Sequence, residues 1–189
     1  MNLTAISSIL SQLDPEVWLL TARAGPRRGG LAATSVCPVS IVPEMPRLFV
    51  SIARQHHTWE LVEASGAFAL HLIGEEHADW VWRFGLESGR DVDKLAGLKV
   101  RDGQSGSPIL EEALAWLDCR VEARLDVGDR TIYLAEVLDG AQTRLAPPLR
   151  MQRLLQIAPP EKLQMLKERR ARQGEVDAEA IRAWRIRGK

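Results

Sequence analysis

Small and hydroxyl-bearing residues are concentrated in one stretch of the chain, from Arg28 to Trp59, in which Glu44 is the one acidic residue. Residues without bulky side chains let a flat ligand or a phosphate approach the main-chain amides, and hydroxyl groups add hydrogen-bond donors. The residues of this kind are Gly29, Gly30, Ala32, Ala33, Thr34, Ser35 and Ser40. The stretch therefore indicates either a binding surface or, equally well from its spacing alone, a tightly packed strand.

A second candidate site follows the strand-like run RLFVSIAR. Arg54, His56, His57 and Thr58 precede a predicted helix, and we expect Thr58 to cap that helix. The free amides at a helix N-terminus, together with the helix dipole, favour an anion. A phosphate group is the natural candidate for this position.

Other kinds of chemistry find little support in the sequence. It contains no GxSxG, GxGxxG or GxxxxGK[ST] motif, and Cys37 lies in a neutral strand without a helix start that would stabilise its thiolate. Adjacent side chains such as those of His56 and His57 point to opposite sides of an extended chain, and neither His71 nor His77 offers a convincing third metal ligand. We therefore expect no metal site and no catalytic side chain, so that any chemistry comes from a bound cofactor.

The elements that must position these residues are mostly strands. Apolar and β-branched residues predict strands in EVWLLTAR, GLAATSVCPVSIVP, RLFVSIAR, AFALHLIG, AWLDCRVEARLDVG and RTIYLAEVLDGAQT, with the first two joined as a hairpin. Short helices are predicted at residues 3–13, after Thr58, and in EEHADWVWRFGLESG, where we expect Trp80, Val81 and Phe84 to face inward. About six antiparallel strands close best as a small barrel, because closure removes exposed edges.

The end of the chain has a different character. From Pro147 onward, Leu, Met, Arg, Lys and Glu recur at helical spacing with a break at Pro159-Pro160, which predicts a helical tail. Its surplus of basic residues favours a solvated helix face with ion pairs over an arm that binds nucleic acid or a partner. We therefore predict a domain over residues 1–148 and a helical extension over 149–189, packed on the same domain or on a dimer partner.

The composition of the whole chain excludes several classes of protein. The 25 basic and 25 acidic residues among 189 cancel, so no overall field attracts nucleic acid or an anionic membrane. Cys37 and Cys119 are far apart, no cationic leader precedes an apolar run, and no apolar stretch is long enough to span a bilayer. We expect a cytoplasmic protein with no nucleic-acid and no membrane partner.

Four ordered motifs resemble the flavin reductase-like family of FMN-binding split-barrel proteins. They are GLAATSVCPVSIVPEMPRLFVSIARQHHTWELV, FALHLIGEEH, RFGLESGRDVDKLAGL and GSPILEEALAWLDCRVEARLDVGDRTIYLAEV, and they cover roughly residues 14 to 145. Each motif alone is weak, but their order and spacing are specific. The resemblance implies a mainly β fold, a Greek-key-like antiparallel split barrel with short peripheral helices.

The resemblance also implies the residues of a cofactor site. In this family the matching stretch lies along FMN, and the loop after it receives the phosphate. The FMN site would comprise Thr34, Ser35, Val36 and Cys37 beside the ring and ribityl chain, Ser51, Ala53 and Arg54 next, His56, His57 and Thr58 at the phosphate, and Lys94. The turn Gly128-Asp129-Arg130 stands where many members have Gly-Asp-His, which is associated with the nicotinamide nucleotide.

The implied function is that of an NAD(P)H:flavin oxidoreductase. NADH or NADPH reduces FMN, which passes electrons to free flavin or to a partner monooxygenase, in a homodimer with FMN near the subunit interface. Arginine cannot deprotonate and donates in a different geometry from imidazole, so Arg130 leaves open a flavoredoxin-like electron-transfer protein that holds FMN without direct nicotinamide use. A haem-binding split barrel with His56, His57 or His71 as axial ligand is a third possibility.

Overall fold

The computed structural model describes residues 1–188, in which strands alternate with helices and the longest helix comes last. A 3₁₀ turn at Glu75–His77 leads into the third helix. In chain order the elements are α1 (Leu3–Leu10), β1 (Trp18–Ala24), β2 (Arg27–Ala33), β3 (Val36–Pro38), β4 (Arg47–Ala53), α2 (His57–Ser65), β5 (Ala67–Leu72), α3 (Ala78–Leu86), β6 (Val100–Asp102), β7 (Pro108–Leu110), β8 (Ala115–Asp126), β9 (Arg130–Gln142), α4 (Met151–Ile157) and α5 (Pro160–Arg187). Lys189, the last residue of the predicted extension, lies outside the described residues.

Seven strands form one antiparallel sheet in the order β2-β1-β5-β8-β9-β4-β3, and β6 pairs with β7 in a small separate ladder. The predicted hairpin of the first two strands is confirmed, and its turn contains Gly25 at a φ of 58°, where glycine is favoured. Strands β8 and β9 form a second hairpin, with register shifts after Asp118 and after Val121 that bend the ladder. The prediction of a mainly β, antiparallel fold with peripheral helices is confirmed.

The sheet curls around one apolar core. Leu31 of β2, Leu20 of β1, Phe68 of β5, Tyr133 of β9 and Ile52 of β4 are buried in the same cluster. A flat sheet could not bring its first and sixth strands into one cluster. The strands therefore wrap into a half-barrel, as expected from strand twist and the bulges.

A second core joins the sheet to α3 and to the start of the tail. The Leu149 N–H donates to the carbonyl oxygen of Ile73 at 2.7 Å, and the Val17 N–H donates to the carbonyl oxygen of Leu149 at 2.8 Å. Leu149 and Leu154 are buried there. The chain just after residue 148 is thus built into the body of the protein, and Pro160 starts the separate helix α5 at the predicted break.

Two local predictions need correction. The prediction for α3 left out Trp82, which is its most buried tryptophan; Val81 and Phe84 are buried as expected, and Trp80 packs half-buried against the same core. The residue at the cap of α2 is His56 and not Thr58, because the helix begins at His57 and Thr58 is already buried within its first turn.

Helix α5 rests on the surface of this body. None of its described side chains is fully buried, and it lies against α3. No helix among residues 1–188, α5 included, combines the length and the apolar character that crossing a bilayer requires.

Candidate functional site

A cavity of about 300 Å³ lies between one end of the sheet, helix α3 and helix α5. Thr34 and Ser35, which follow β2, face it from the sheet side, and the Ser51 N–H donates to the carbonyl oxygen of Ser35 at 3.3 Å. Trp82 and Phe84 line it from α3. Small polar groups on one side and aromatic rings on the other suit a flat, partly polar ligand.

A smaller cavity of about 70 Å³ adjoins the first. The start of α2, the loop before Lys94 and part of α5 form its walls, with Arg90, Lys94, Arg169 and Glu87 as charged lining residues. The residues that line both cavities are Gln55, His56, Arg169 and Gln173. The two cavities are therefore neighbours that share part of their lining.

Lys94 is the buried cation of the smaller cavity. Its Nζ donates to the carbonyl oxygens of Gly30 at 3.0 Å and Phe84 at 2.8 Å, so one of its three ammonium protons is left for a further acceptor. Burial, and then the charge of Arg169, lower the pKa of Lys94 to about 8, whereas Glu87 raises it. Lys94 is therefore mostly charged at neutral pH and directed at this cavity by two fixed carbonyl groups.

Two histidines lie at the start of α2, beside Lys94. Burial, and then the charges of Arg169 and Lys94, lower the pKa of His56 to about 4, so its ring is neutral at pH 7. His57 Nδ1 is buried and lies 3.5 Å from Glu60 Oε2 without forming a hydrogen bond. A neutral imidazole still has one N–H donor, so His56 adds hydrogen-bonding capacity to the cavity without adding charge.

Most residues of the predicted FMN site line these two cavities. They are Thr34, Ser35, Ser51, Ala53, His56, His57, Thr58 and Lys94. Val36 lines a different groove, Cys37 is exposed, and Arg54 pairs with Asp126 at 2.9 Å while lying over the ring of Trp59. Alternation explains the position of Arg54, because successive side chains of extended chain point to opposite faces.

The predicted nicotinamide turn lies beneath α5. Arg130 lines the larger cavity, and its guanidinium contacts Asp129 at 2.6 Å and Asp177 of α5 at 3.4 Å. Gly128 has a φ of 98°, and a Cβ atom built there would lie 2.7 Å from the Cβ atom of Trp184. Helix α5 thus packs directly on this turn.

Sequence reasoning missed the residues that α3 and α5 contribute. They include Trp82, Phe84, Leu166, Arg169, Gln173 and Asp177. The surplus of basic residues in the tail was the available signal. That surplus could not show which arginines of α5 line the cavity, because the helix has charged residues all around its circumference.

His71 lies outside the site and links three strands. Its Nε2 accepts a hydrogen bond from the Leu110 N–H at 3.0 Å, so the proton is on Nδ1, which donates to the carbonyl oxygen of Leu19 at 3.1 Å. Burial lowers its pKa to about 4. Both ring nitrogens are therefore engaged, and neither is free for an iron atom. Residues 1–188 contain no group of three His, Cys, Asp or Glu side chains placed to hold a metal ion.

Comparisons with known proteins identify the family. Residues 10–153 match the family model described as flavin reductase like domain. High molecular weight rubredoxin from Moorella thermoacetica is 30% identical over 142 residues, which make up 74% of this chain and 61% of that protein. FMN reductase (NADH) RutF from Pseudomonas syringae is 31% identical over 135 residues, 71% of this chain and 74% of that protein. The chain thus spans less than two thirds of the first relative and about three quarters of the second.

A solved structure agrees with the sequence match. The crystal structure of a nitrilotriacetate monooxygenase component B homologue from Mycobacterium thermoresistibile has a TM-score of 0.69 at 27% identity, covering 79% of this chain and 82% of that one. The family match contains the strands that line the cavities and ends within α4, before α5. The resemblance read from the four sequence motifs is confirmed, and the chain belongs to the flavin reductase-like family.

Proposed function

We propose that this chain is an FMN-binding oxidoreductase that takes electrons from NADH or NADPH and passes them through FMN to free flavin or a partner monooxygenase. The observation that carries the proposal is that two cavities adjoin, one suited to a flat ring and the other cationic. Names of similar proteins support it, since one relative is an FMN reductase (NADH) and one solved neighbour is a monooxygenase component.

The chemistry of the lining residues fits FMN. Thr34 and Ser35 would border the ring on the sheet side, with Trp82 on the α3 side, and Lys94 and Thr58 would hold the phosphate. FMN, when bound, supplies the redox chemistry, and the chain binds it, orients it and excludes water. The proposed site omits Val36, Cys37 and Arg54, whose side chains lie away from both cavities.

We also propose that the curled sheet is the split barrel of this family and that a second copy of the chain covers its open side. An apolar groove of about 910 Å³ lies there, lined by residues that include Trp18, Leu48, Trp116 and Val137. The fully exposed Ile41 lies in the loop beside it, between β3 and β4. A contiguous exposed apolar patch is typical of an interaction site.

A second candidate function is an electron-transfer protein that holds FMN without using a nicotinamide directly. One observation favours it: the guanidinium of Arg130 is already paired with Asp129 and Asp177, and α5 packs on Gly128. A nicotinamide nucleotide that approached this turn would have to compete with those contacts.

Anaerobic stopped-flow absorbance distinguishes the two functions. The FMN-loaded protein is mixed with NADH or, separately, with NADPH, and the visible absorption band of the flavin is followed. We expect one nucleotide to bleach the band within about a second, as ordinary turnover rates require. Free FMN mixed with the same nucleotide is the control. A band that persists with both nucleotides but disappears with dithionite would reject the reductase and favour the electron-transfer protein.

A further inference from the structure

Helix α5 lies wholly outside residues 10–153, which match the family, yet it forms a wall of both cavities. Arg169 and Gln173 line the smaller, cationic cavity as well as the larger one. The two residues are four positions apart and therefore lie on the same face of the helix. A segment beyond the family domain thus contributes directly to the candidate site.

Arg169 is placed in an unusual electrostatic environment. Its Nη1 donates to the carbonyl oxygen of Leu86, and the group is half-buried. Burial, and then Arg172, lower the pKa of Arg169, and Arg169 in turn lowers the pKa of Lys94 and of His56. Three cations line the smaller cavity, whose carboxylate, Glu87, is exposed. Arg90 pairs with Glu60, and the other two are Lys94 and Arg169. An anion bound between them would compensate both charges.

The docking of α5 also lacks a large apolar contact. None of its described side chains is fully buried. Besides the hydrogen bond of Arg169, Asp177 accepts from Gln55 Nε2 at 2.8 Å and contacts Arg130 at 3.4 Å. An anion held jointly by Lys94 of the body and Arg169 of the helix would add a further link across this contact.

We propose that Arg169 completes the phosphate-binding site and that α5 thereby makes the chain selective for a flavin that carries a phosphate monoester. This inference rests on the proposed function, since it assumes that the ligand in the adjoining cavity is a flavin. In this proposal, one molecule has its ring in the larger cavity and its phosphate in the smaller, and Arg169 and His56 line both cavities. Riboflavin has the same ring but no phosphate, so it would make the contacts in the larger cavity and lack those in the smaller one.

Titration calorimetry of the full chain with FMN and with riboflavin tests the proposal. Arg169→Met keeps an apolar stem and removes the guanidinium, and we expect it to weaken FMN binding about tenfold or more, the loss of one charge-assisted hydrogen bond. Riboflavin binding should change by less than about threefold, because riboflavin has no phosphate for the guanidinium to contact and an ordinary hydrogen bond contributes little. Lys167→Met is the control: it removes an exposed cation two positions away that lines neither cavity.

Arg169→Lys separates charge from folding effects. It keeps the positive charge, and we expect FMN affinity between those of the original chain and Arg169→Met. Equal weakening of FMN and riboflavin by Arg169→Met, or equal weakening of FMN by Lys167→Met, overturns the inference. Equal affinity of the unmodified chain for FMN and riboflavin overturns the inference but not the proposed function. If the unmodified chain binds neither FMN nor riboflavin, both the inference and the proposed function are wrong.

Discussion

At the scale of the residue, Lys94 is the side chain whose charge matters most to the candidate site. It is buried, it donates to two carbonyl groups, and its pKa falls from 10.5 to about 8. The protonated form therefore dominates below pH 8 and is lost as the pH rises through that value. Arg169 keeps its charge over this range, because a guanidinium does not deprotonate in proteins.

This titration predicts a pH-dependent affinity for FMN. From pH 7 to about pH 9 the phosphate stays a dianion while Lys94 loses its proton, so FMN binding should weaken by at most about tenfold per pH unit. Riboflavin binding should stay flat. Fluorescence titration of both ligands across this range measures the effect.

Two variants test whether Lys94 causes the pH dependence of FMN binding. Lys94→Gln should bind FMN more weakly at pH 7 and show a much flatter pH profile. Lys99→Gln is the matched control, because Lys99 is exposed and pairs with Glu112 at 2.9 Å, away from both cavities. An unchanged pH profile in Lys94→Gln would remove Lys94 from the phosphate site.

At the scale of the element, the close approach of α5 to the β8–β9 turn depends on a glycine. Gly128 adopts a φ of 98°, and an added Cβ atom would lie 2.7 Å from Trp184 Cβ and 2.9 Å from the carbonyl oxygen of Ala180. Both atoms belong to the backbone or Cβ positions of α5, so the clash can be relieved only if the helix moves. Gly25 also has a positive φ, of 58°, but its added Cβ atom would meet nothing within 4 Å.

Substitution by alanine should have different effects at Gly128 and at Gly25. Gly128→Ala should displace α5 and speed tryptic cleavage within it, whereas Gly25→Ala should cost about 1 kcal/mol of stability from backbone strain and leave cleavage of α5 unchanged. Limited proteolysis with mass spectrometry of the fragments measures both. Identical cleavage rates in the two variants would show that α5 does not depend on the turn.

At the scale of the whole molecule, the curled sheet leaves an apolar side open. The groove of about 910 Å³ lies over β3, β4, β8 and β9, beside the loop that contains Ile41. Exposed apolar surface that is continuous with a core is usually covered in an assembly. A second copy of the chain is the proposed cover.

Light scattering tests this arrangement. We expect the chain to have twice its 21.1 kDa mass in solution. The Ile41 side chain is 99% exposed in the single chain, so Ile41→Asp should leave the fold intact. In a dimer the new carboxylate would be buried without a partner, which should shift the equilibrium towards the monomer. Ile186→Asp, at the far end of α5 and 76% exposed, should leave the mass unchanged. A monomer at every concentration would reject the homodimer.

The sequence by itself determined the family, the antiparallel strands and most of the small residues around the larger cavity. These features are local: alternation, glycine turns and ordered motifs are carried by neighbouring residues such as Thr34 and Ser35. Lys94 was also accessible, but only through the resemblance, because its two carbonyl partners come from β2 and α3.

Only the tertiary structure decided which distant side chains meet at the site. Arg54 is adjacent to the predicted phosphate loop in sequence, yet it points to Asp126, whereas Arg169 lies more than a hundred residues further along and faces Lys94's cavity. The burial of Trp82 and the position of α5 likewise depend on contacts between separate elements. The physical reason is that periodicity records which face a residue occupies, whereas long-range packing sets what that face contacts.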